Sequence, residues 1–140
     1  MPNNNRKACY LLCRLVRMEG VFVFQDENHS EFTFHLYEFK DIQHARQLIN
    51  SETTERPHVT GTIVMGTSIL NPALKFHMDP NSIQFVDSVN KTCDVSIKYL
   101  NDHTIKRCDD VLKDCHWCNG GNKVIKEVQT MNSQRFIPRT

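Results

Sequence analysis

Cys115-His116-Trp117-Cys118 is a C-x-x-C motif, the densest concentration of reactive side chains in the sequence. Thioredoxin-type exchange uses that spacing because the second thiol can resolve a mixed disulfide, while a helix amino terminus lowers the pKa of the first. Here no buried parallel strand leads into the motif. Asp109, Asp110 and Asp114 place negative charge upstream, which raises a thiol pKa. With Cys93 and Cys108, and with His103 and His116, the same cysteines offer zinc ligands. A structural zinc site joins two close pairs, and only Cys115 and Cys118 form one. Adding Cys9 and Cys13 gives six cysteines, an even number that fits a disulfide framework with fifteen full pairings. Structural disulfides are the expected use.

His58, His77 and Asp79 are the second group with chemical potential. Both histidines fall in strand-like runs and Asp79 lies two residues beyond His77, so the three side chains could converge on a metal or form an acid–base site. The plainer expectation is that His77 bonds locally to a turn or packs half-buried. The sequence has no G-x-S-x-G nucleophile, no phosphate loop and no paired acids at a catalytic spacing. Asp109, Asp110 and Asp114 do not follow the alternation of an EF-hand. The sequence therefore predicts no catalytic residue, no metal and no cofactor. The competing reading is a small metal-dependent or thiol-redox enzyme using His58, His77 and Asp79, or Cys115 and Cys118.

These groups must be held by an α+β scaffold. Gly20-Val21-Phe22-Val23-Phe24 is a β-type run, and Glu31-Phe32-Thr33-Phe34-His35-Leu36 alternates with Phe32, Phe34 and Leu36 on one face, so the pair reads as a hairpin. Asp41 is expected to cap a helix reaching about Asn50, with Ile42, Ala45, Leu48 and Ile49 as its apolar stripe, ended by the polar run from Ser51 to Arg56 and kept from resuming by Pro57. His58 to Met65 is a third strand, with Val59, Gly61, Ile63 and Met65 on one face. Leu74, Phe76 and Met78 mark a fourth, and Ile83 and Phe85 start a fifth beyond the Asp79-Pro80-Asn81 turn. A short helix over Ser96 to Asp102 buries Ile97 and Leu100. Val124 to Val128 is a last strand or the end of a helix. The expected fold is α+β, a mostly antiparallel sheet with one principal and one shorter helix, stapled by disulfides. Residues 1–19 form an amino-terminal arm, 20–128 one domain and 129–140 a tail.

With 140 residues and an apolar fraction of 39%, the chain fits a single domain with a real core. No stretch approaches the roughly 20 apolar residues of a spanning helix. Seventeen basic against sixteen acidic side chains leave no basic excess of the kind nucleic-acid binding needs. Residues 2–13 mimic the order of a secretory signal, but Arg14 and Arg17 break the apolar patch and no small-x-small cleavage site follows. A short amphipathic helix or extended arm is the expectation. Asn28-His29-Ser30 and Asn90-Lys91-Thr92 are glycosylation tripeptides compatible with secretion. Together with the cysteines they point to an extracellular protein.

From Gly20 to Val128 the order of features resembles a family of small, mostly secreted, poorly characterised domains in bacteria, fungi and invertebrates. The matching residues are Val21-Phe22-Val23-Phe24, Phe32-Thr33-Phe34-His35-Leu36, Ile42-Gln43-His44-Ala45-Arg46, His58-Val59-x-Gly61-x-Ile63-Val64 and Asn71-Pro72. Phe76-His77-Met78-Asp79-Pro80-x-Ser82-Ile83 is the most specific block. Cys93-Asp94, Cys115-x-Trp117 and Val124-x-Lys126-Glu127-Val128 complete the pattern. Leu74 stands where relatives often carry an aromatic residue, and His116 where they carry proline. The resemblance implies a Cys93–Cys115 bridge. Cys9, Cys13, Cys108 and Cys118 fall outside the pattern and are expected to tie the arm to the carboxy-terminal loop, for instance Cys9 and Cys13 to Cys108 and Cys118. Some relatives are labelled calmodulin-binding. Arg6, Lys7, Arg14 and Arg17 beside Leu11, Leu12, Leu15 and Val16 would make a basic amphipathic helix of that kind.

The function expected is non-catalytic: an extracellular binding protein, such as a proteinase inhibitor, toxin or receptor ligand, acting on another protein through loops of a disulfide-stabilised scaffold. The candidate loops are residues 25–30 and 66–71. The second is unusually apolar at Ile69-Leu70, which either tucks under the sheet or meets a partner. Candidate binding residues are Ile69, Leu70, His58, His77 and Asp79.

Overall fold

The computed structural model describes residues 20–104 and 106–128. The alternation of Phe32, Phe34 and Leu36 produces the expected hairpin, β1 (Gly20–Gln25) with β2 (Glu31–Leu36), paired antiparallel from Gly20 opposite Leu36 to Gln25 opposite Glu31. Residues 123–128 are a strand and not a helix end. This strand, β7 (Lys123–Val128), pairs antiparallel with the other side of β1 across a register shift at Val23/Phe24. β1 is thereby central, and Val21 to Phe24 are all buried.

Helix α1 (Phe39–Ile49) begins three residues earlier than a cap at Asp41 implies, with Glu38 in the cap position. The carbonyl of Glu38 accepts from both Asp41 N and Ile42 N. Asp41 therefore lies in the first turn, where its charge complements the helix dipole. Ile42 and Ala45 are fully buried. Arg46 reaches β7 with two hydrogen bonds to Glu127, at 2.9 and 2.8 Å, and so fixes the helix to the sheet edge.

β3 (His58–Met65) organises a second sheet. It pairs antiparallel with β4 (Phe76–Met78), with β5 (Gln84–Val86) and with the two-residue β6 (His116–Trp117). Between β4 and β5 the chain makes a 3-10 turn, Pro80–Ser82, capped by Asp79, whose side chain accepts from Asn81 N. β4 starts at Phe76 and not at Leu74, because Leu74 N is used in a turn to Asn71 O. Helix α2 (Ile97–His103) buries Ile97 and Leu100, and the Ser96 side chain caps it by accepting from Tyr99 N.

One aromatic column joins the sheets. Trp117 stacks on Phe24 at 5.2 Å, Phe24 on Phe32 at 5.3 Å, and Phe32 on Phe76 at 5.8 Å. All four rings are buried, so β6, β1, β2 and β4 share one core. Large buried rings in near-parallel contact add to the area term of burial. Trp117 Nε1 donates to Val95 O at 3.0 Å, which satisfies the only polar atom of its ring.

Two disulfides close the carboxy-terminal part, and their pairing differs from the expected one. Cys93 bonds Cys118, and Cys108 bonds Cys115, each with a Cα–Cα distance of 5.1 Å. The Cys93–Cys115 bridge does not form because β6 lies between Cys115 and Cys118 and carries them apart. Cys118 N donates to Cys93 O at 3.1 Å, while Cys115 closes onto the 3-10 turn Cys108–Asp110. Cys108 and Cys118 are thus satisfied internally and do not receive the arm. Cys9 and Cys13, with the rest of the arm and the tail, lie outside the described residues. The result is a disulfide-stapled α+β fold with antiparallel sheets and two helices among the described residues.

Candidate binding loop

The connection from β3 to β4 carries the most exposed large apolar side chain of the described residues, Ile69, at 93% exposure. Ser68 O accepts from Asn71 N at 3.0 Å, so Ile69 and Leu70 occupy the two central positions of a tight turn. Leu70 is half-buried. The pair therefore divides: Leu70 faces the fold and Ile69 projects from it.

The turn is held from every side. Gly66 N donates to Lys75 O at 2.8 Å, Thr67 Oγ1 to Leu74 O at 3.1 Å, and Leu70 N to Ser68 Oγ at 3.2 Å. His77 Nδ1 donates to Gly66 O at 2.9 Å, which closes the base of the loop. Gly66 has φ of +124°, a conformation open to glycine and strained for other residues. The strongest anchor is Asn71. Its side-chain amide bonds both backbone groups of Thr33 on β2, 38 residues away, and Asn71 is itself 8% exposed. An amide is the one neutral side chain that can accept and donate side by side, as a neighbouring strand would.

His58, His77 and Asp79 do not converge. His77 lies opposite Val64 on β3, six residues from His58, a separation of roughly 20 Å along a strand. His58 Nδ1 donates to Asn122 O at 3.1 Å. Asp79 uses its carboxylate on its own turn. Of the three, His77 alone belongs to the loop, as a brace. Cys115 and Cys118 sit in different disulfides, so they do not form an exchange pair. No group of three or more His, Cys, Asp or Glu among the described residues is placed to hold a metal ion.

In the second candidate loop, residues 25–30, Glu27, Asn28 and His29 are exposed, but the loop is tied down through Asp26. Buried Asp26 accepts from Asn28 N and Ser30 N through one oxygen and from Ile97 N through the other, so it ties the hairpin turn to the start of α2. Glu27 receives Asn119 Nδ2 at 3.1 Å and packs on Gly121, where an added Cβ would come within 2.7 Å of it. This loop works as a structural seam. The basic arm suggested for calmodulin lies outside the described residues.

Sequence reasoning overlooks the asparagines. Asn71, Asn119 and Asn122 are buried and bonded to the main chain or to distant side chains. Asn122 repeats the Asn71 device on β3: it accepts from Val59 N at 2.7 Å and donates to Val59 O at 3.0 Å. No local pattern signals such a role, because Thr33, Val59 and Glu27, the strand and loop partners of these amides, lie tens of residues away.

No curated protein matches the chain, and no solved structure does. No described helix is long and apolar enough to cross a membrane. The family model described as the BP-74 N-terminal domain matches residues 18–131, and the chain belongs to that family.

Proposed function

We propose that this chain is a non-catalytic extracellular binding protein that engages another protein through the β3–β4 loop, with Ile69 as the side chain that enters the partner. The observation that carries this reading is a 93% exposed isoleucine at the tip of a turn whose base is fixed by Asn71, His77 and Gly66. A tip already held in one conformation loses little freedom on binding, so less of the gain from burying it is offset by ordering. Covering one isoleucine is worth about 1.5–3 kcal/mol.

The tight turn also bears on the mode of binding. A substrate-like proteinase inhibitor lays an extended segment along the enzyme cleft. Here Ser68 O and Asn71 N are bonded across the tip, which favours a knob inserted into a pocket, as a receptor ligand or toxin would use. The two disulfides support an oxidising location.

A photo-reactive benzophenone side chain in place of Ile69 tests the reading on extracellular fluid of the source. The expected result is one cross-linked protein that excess unmodified chain displaces and that Ile69→Asp chain does not. Displacement by Ile69→Asp chain as effective as by the unmodified chain would overturn it.

A further inference from the structure

We propose that Asn90 is an N-glycan acceptor, distinguished from the second tripeptide at Asn28 by how the fold presents its amide. Asn90-Lys91-Thr92 lies between β5 and α2, where Asp87, Ser88, Asn90, Lys91 and Thr92 are all exposed. That stretch offers a solvated surface without a large exposed apolar side chain. A glycan there covers nothing the core needs.

The side chains of the tripeptide are already paired. Asn90 Oδ1 accepts from Thr92 N and from Thr92 Oγ1, both at 3.0 Å. The hydroxyl thus polarises the amide through its oxygen, and Nδ2, the atom that receives sugar, has no protein partner among the described residues. Asn90 O accepts from Cys93 N at 3.2 Å, so the turn is set three residues before the Cys93–Cys118 bridge.

Asn28 is exposed as well, but its tripeptide serves another purpose. Asn28 N and Ser30 N both donate to buried Asp26, Ser30 O accepts from Asp26 N, Ser30 is half-buried, and His29 is held at φ of +67°. No bond joins the Asn28 and Ser30 side chains. The segment is committed to closing the hairpin.

The reaction is a group transfer from an oligosaccharide carried on a polyprenyl pyrophosphate of the secretory route. The Nδ2 lone pair forms the bond to the sugar C1, the C1–O bond breaks with its electron pair leaving on the polyprenyl pyrophosphate, and Nδ2 gives up one proton to the transferase's base and from there to solvent. Nothing is oxidised or reduced.

This inference rests on the extracellular reading, so its test supplies the route. The full chain behind a cleavable secretion leader is translated into microsomes, and protease-protected chains are compared before and after peptide N-glycosidase. One glycan per protected chain is expected. Asn90→Gln and Thr92→Ala should lose it, while Thr92→Ser and Asn28→Gln keep it. A protected chain with no glycan, with two, or with one that depends on Asn28 would overturn the assignment. A chain modified at Asn90 in microsomes yet confined inside cells of the source would instead overturn the extracellular reading and leave the acceptor standing.

Discussion

Asn71 holds Thr33 by both of its backbone groups: Thr33 N donates to Asn71 Oδ1 at 2.8 Å, and Asn71 Nδ2 donates to Thr33 O at 2.7 Å. This clamp occupies the outward polar groups of β2 at that point, where an unpaired edge invites pairing with another chain. It also fixes the loop that projects Ile69. Stability and presentation of the tip are therefore coupled through one amide.

Asn71→Asp removes the donor and faces a carboxylate toward the Thr33 carbonyl. A loss of about 1–3 kcal/mol is expected, the cost of a buried polar group left unpaired. Denaturant unfolding measures it, and hydrogen exchange at the Thr33 amide should quicken. Asn122→Asp makes the same change at Val59 and should cost at least as much, because Val59 is fully buried. It differs in consequence, since Asn122 bonds β3 and not the loop, and partner binding by the folded fraction should be kept.

The two disulfides should contribute unequally. Cys93–Cys118 spans 25 residues and Cys108–Cys115 spans 7. Loop-closure entropy assigns them about 3.5 and about 2.4 kcal/mol. The double variant Cys93→Ser/Cys118→Ser is expected to unfold at lower denaturant than Cys108→Ser/Cys115→Ser. Mass mapping of the unreduced chain should recover these pairs, and a peptide joining Cys93 to Cys115 would refute the connectivity.

Gly61 is a glycine for want of space. A Cβ there would lie 2.5 Å from Met78 Sδ, 2.8 Å from Met78 Cγ and 3.2 Å from Ser82 Oγ. Gly61→Ala should destabilise by about 1–3 kcal/mol through overpacking. Combined with Met78→Ala, the total should fall short of the sum of the single changes, because the shortened side chain makes room. Thermal melts of the four proteins read the coupling directly.

Acid dependence should be modest and local. The hydrogen bond from Lys98, followed by its charge, holds the Asp102 carboxyl below the usual range, and Arg107 does the same for Asp109. A carboxyl depressed in the folded state contributes stability above its unfolded pKa and loses it as pH falls through the folded one. Both pairs are exposed and screened by salt, so little stability depends on them. Carboxyl NMR titration of the Lys98→Gln chain should return Asp102 to the ordinary carboxylate range while Asp109 stays depressed.

What can be read from the sequence follows from the range of the interactions. The β1–β2 hairpin is legible because Phe32, Phe34 and Leu36 alternate within six residues, and α2 because Ser96 caps a short apolar stripe. The strand over 123–128 is ambiguous in sequence because its pairing with β1 spans a hundred residues. The disulfide pairing expected from sequence fails for the same reason. β6 is only two residues long, and it decides that Cys115 and Cys118 face different partners. The exposed loop is legible in composition, at Ile69-Leu70, but its anchor at Thr33 is not. Asn71-Pro72 marks a turn and says nothing of a strand 38 residues back.

Titration calorimetry of the partner captured at position 69, against the unmodified and the Ile69→Asp chains and alongside thermal melts of both, separates entry of Ile69 into that partner from a change in the scaffold beneath it. Kd for Ile69→Asp should be at least tenfold weaker, about 1.4 kcal/mol, with an unaltered melt. Equal affinity of the two chains would overturn the proposed role of Ile69.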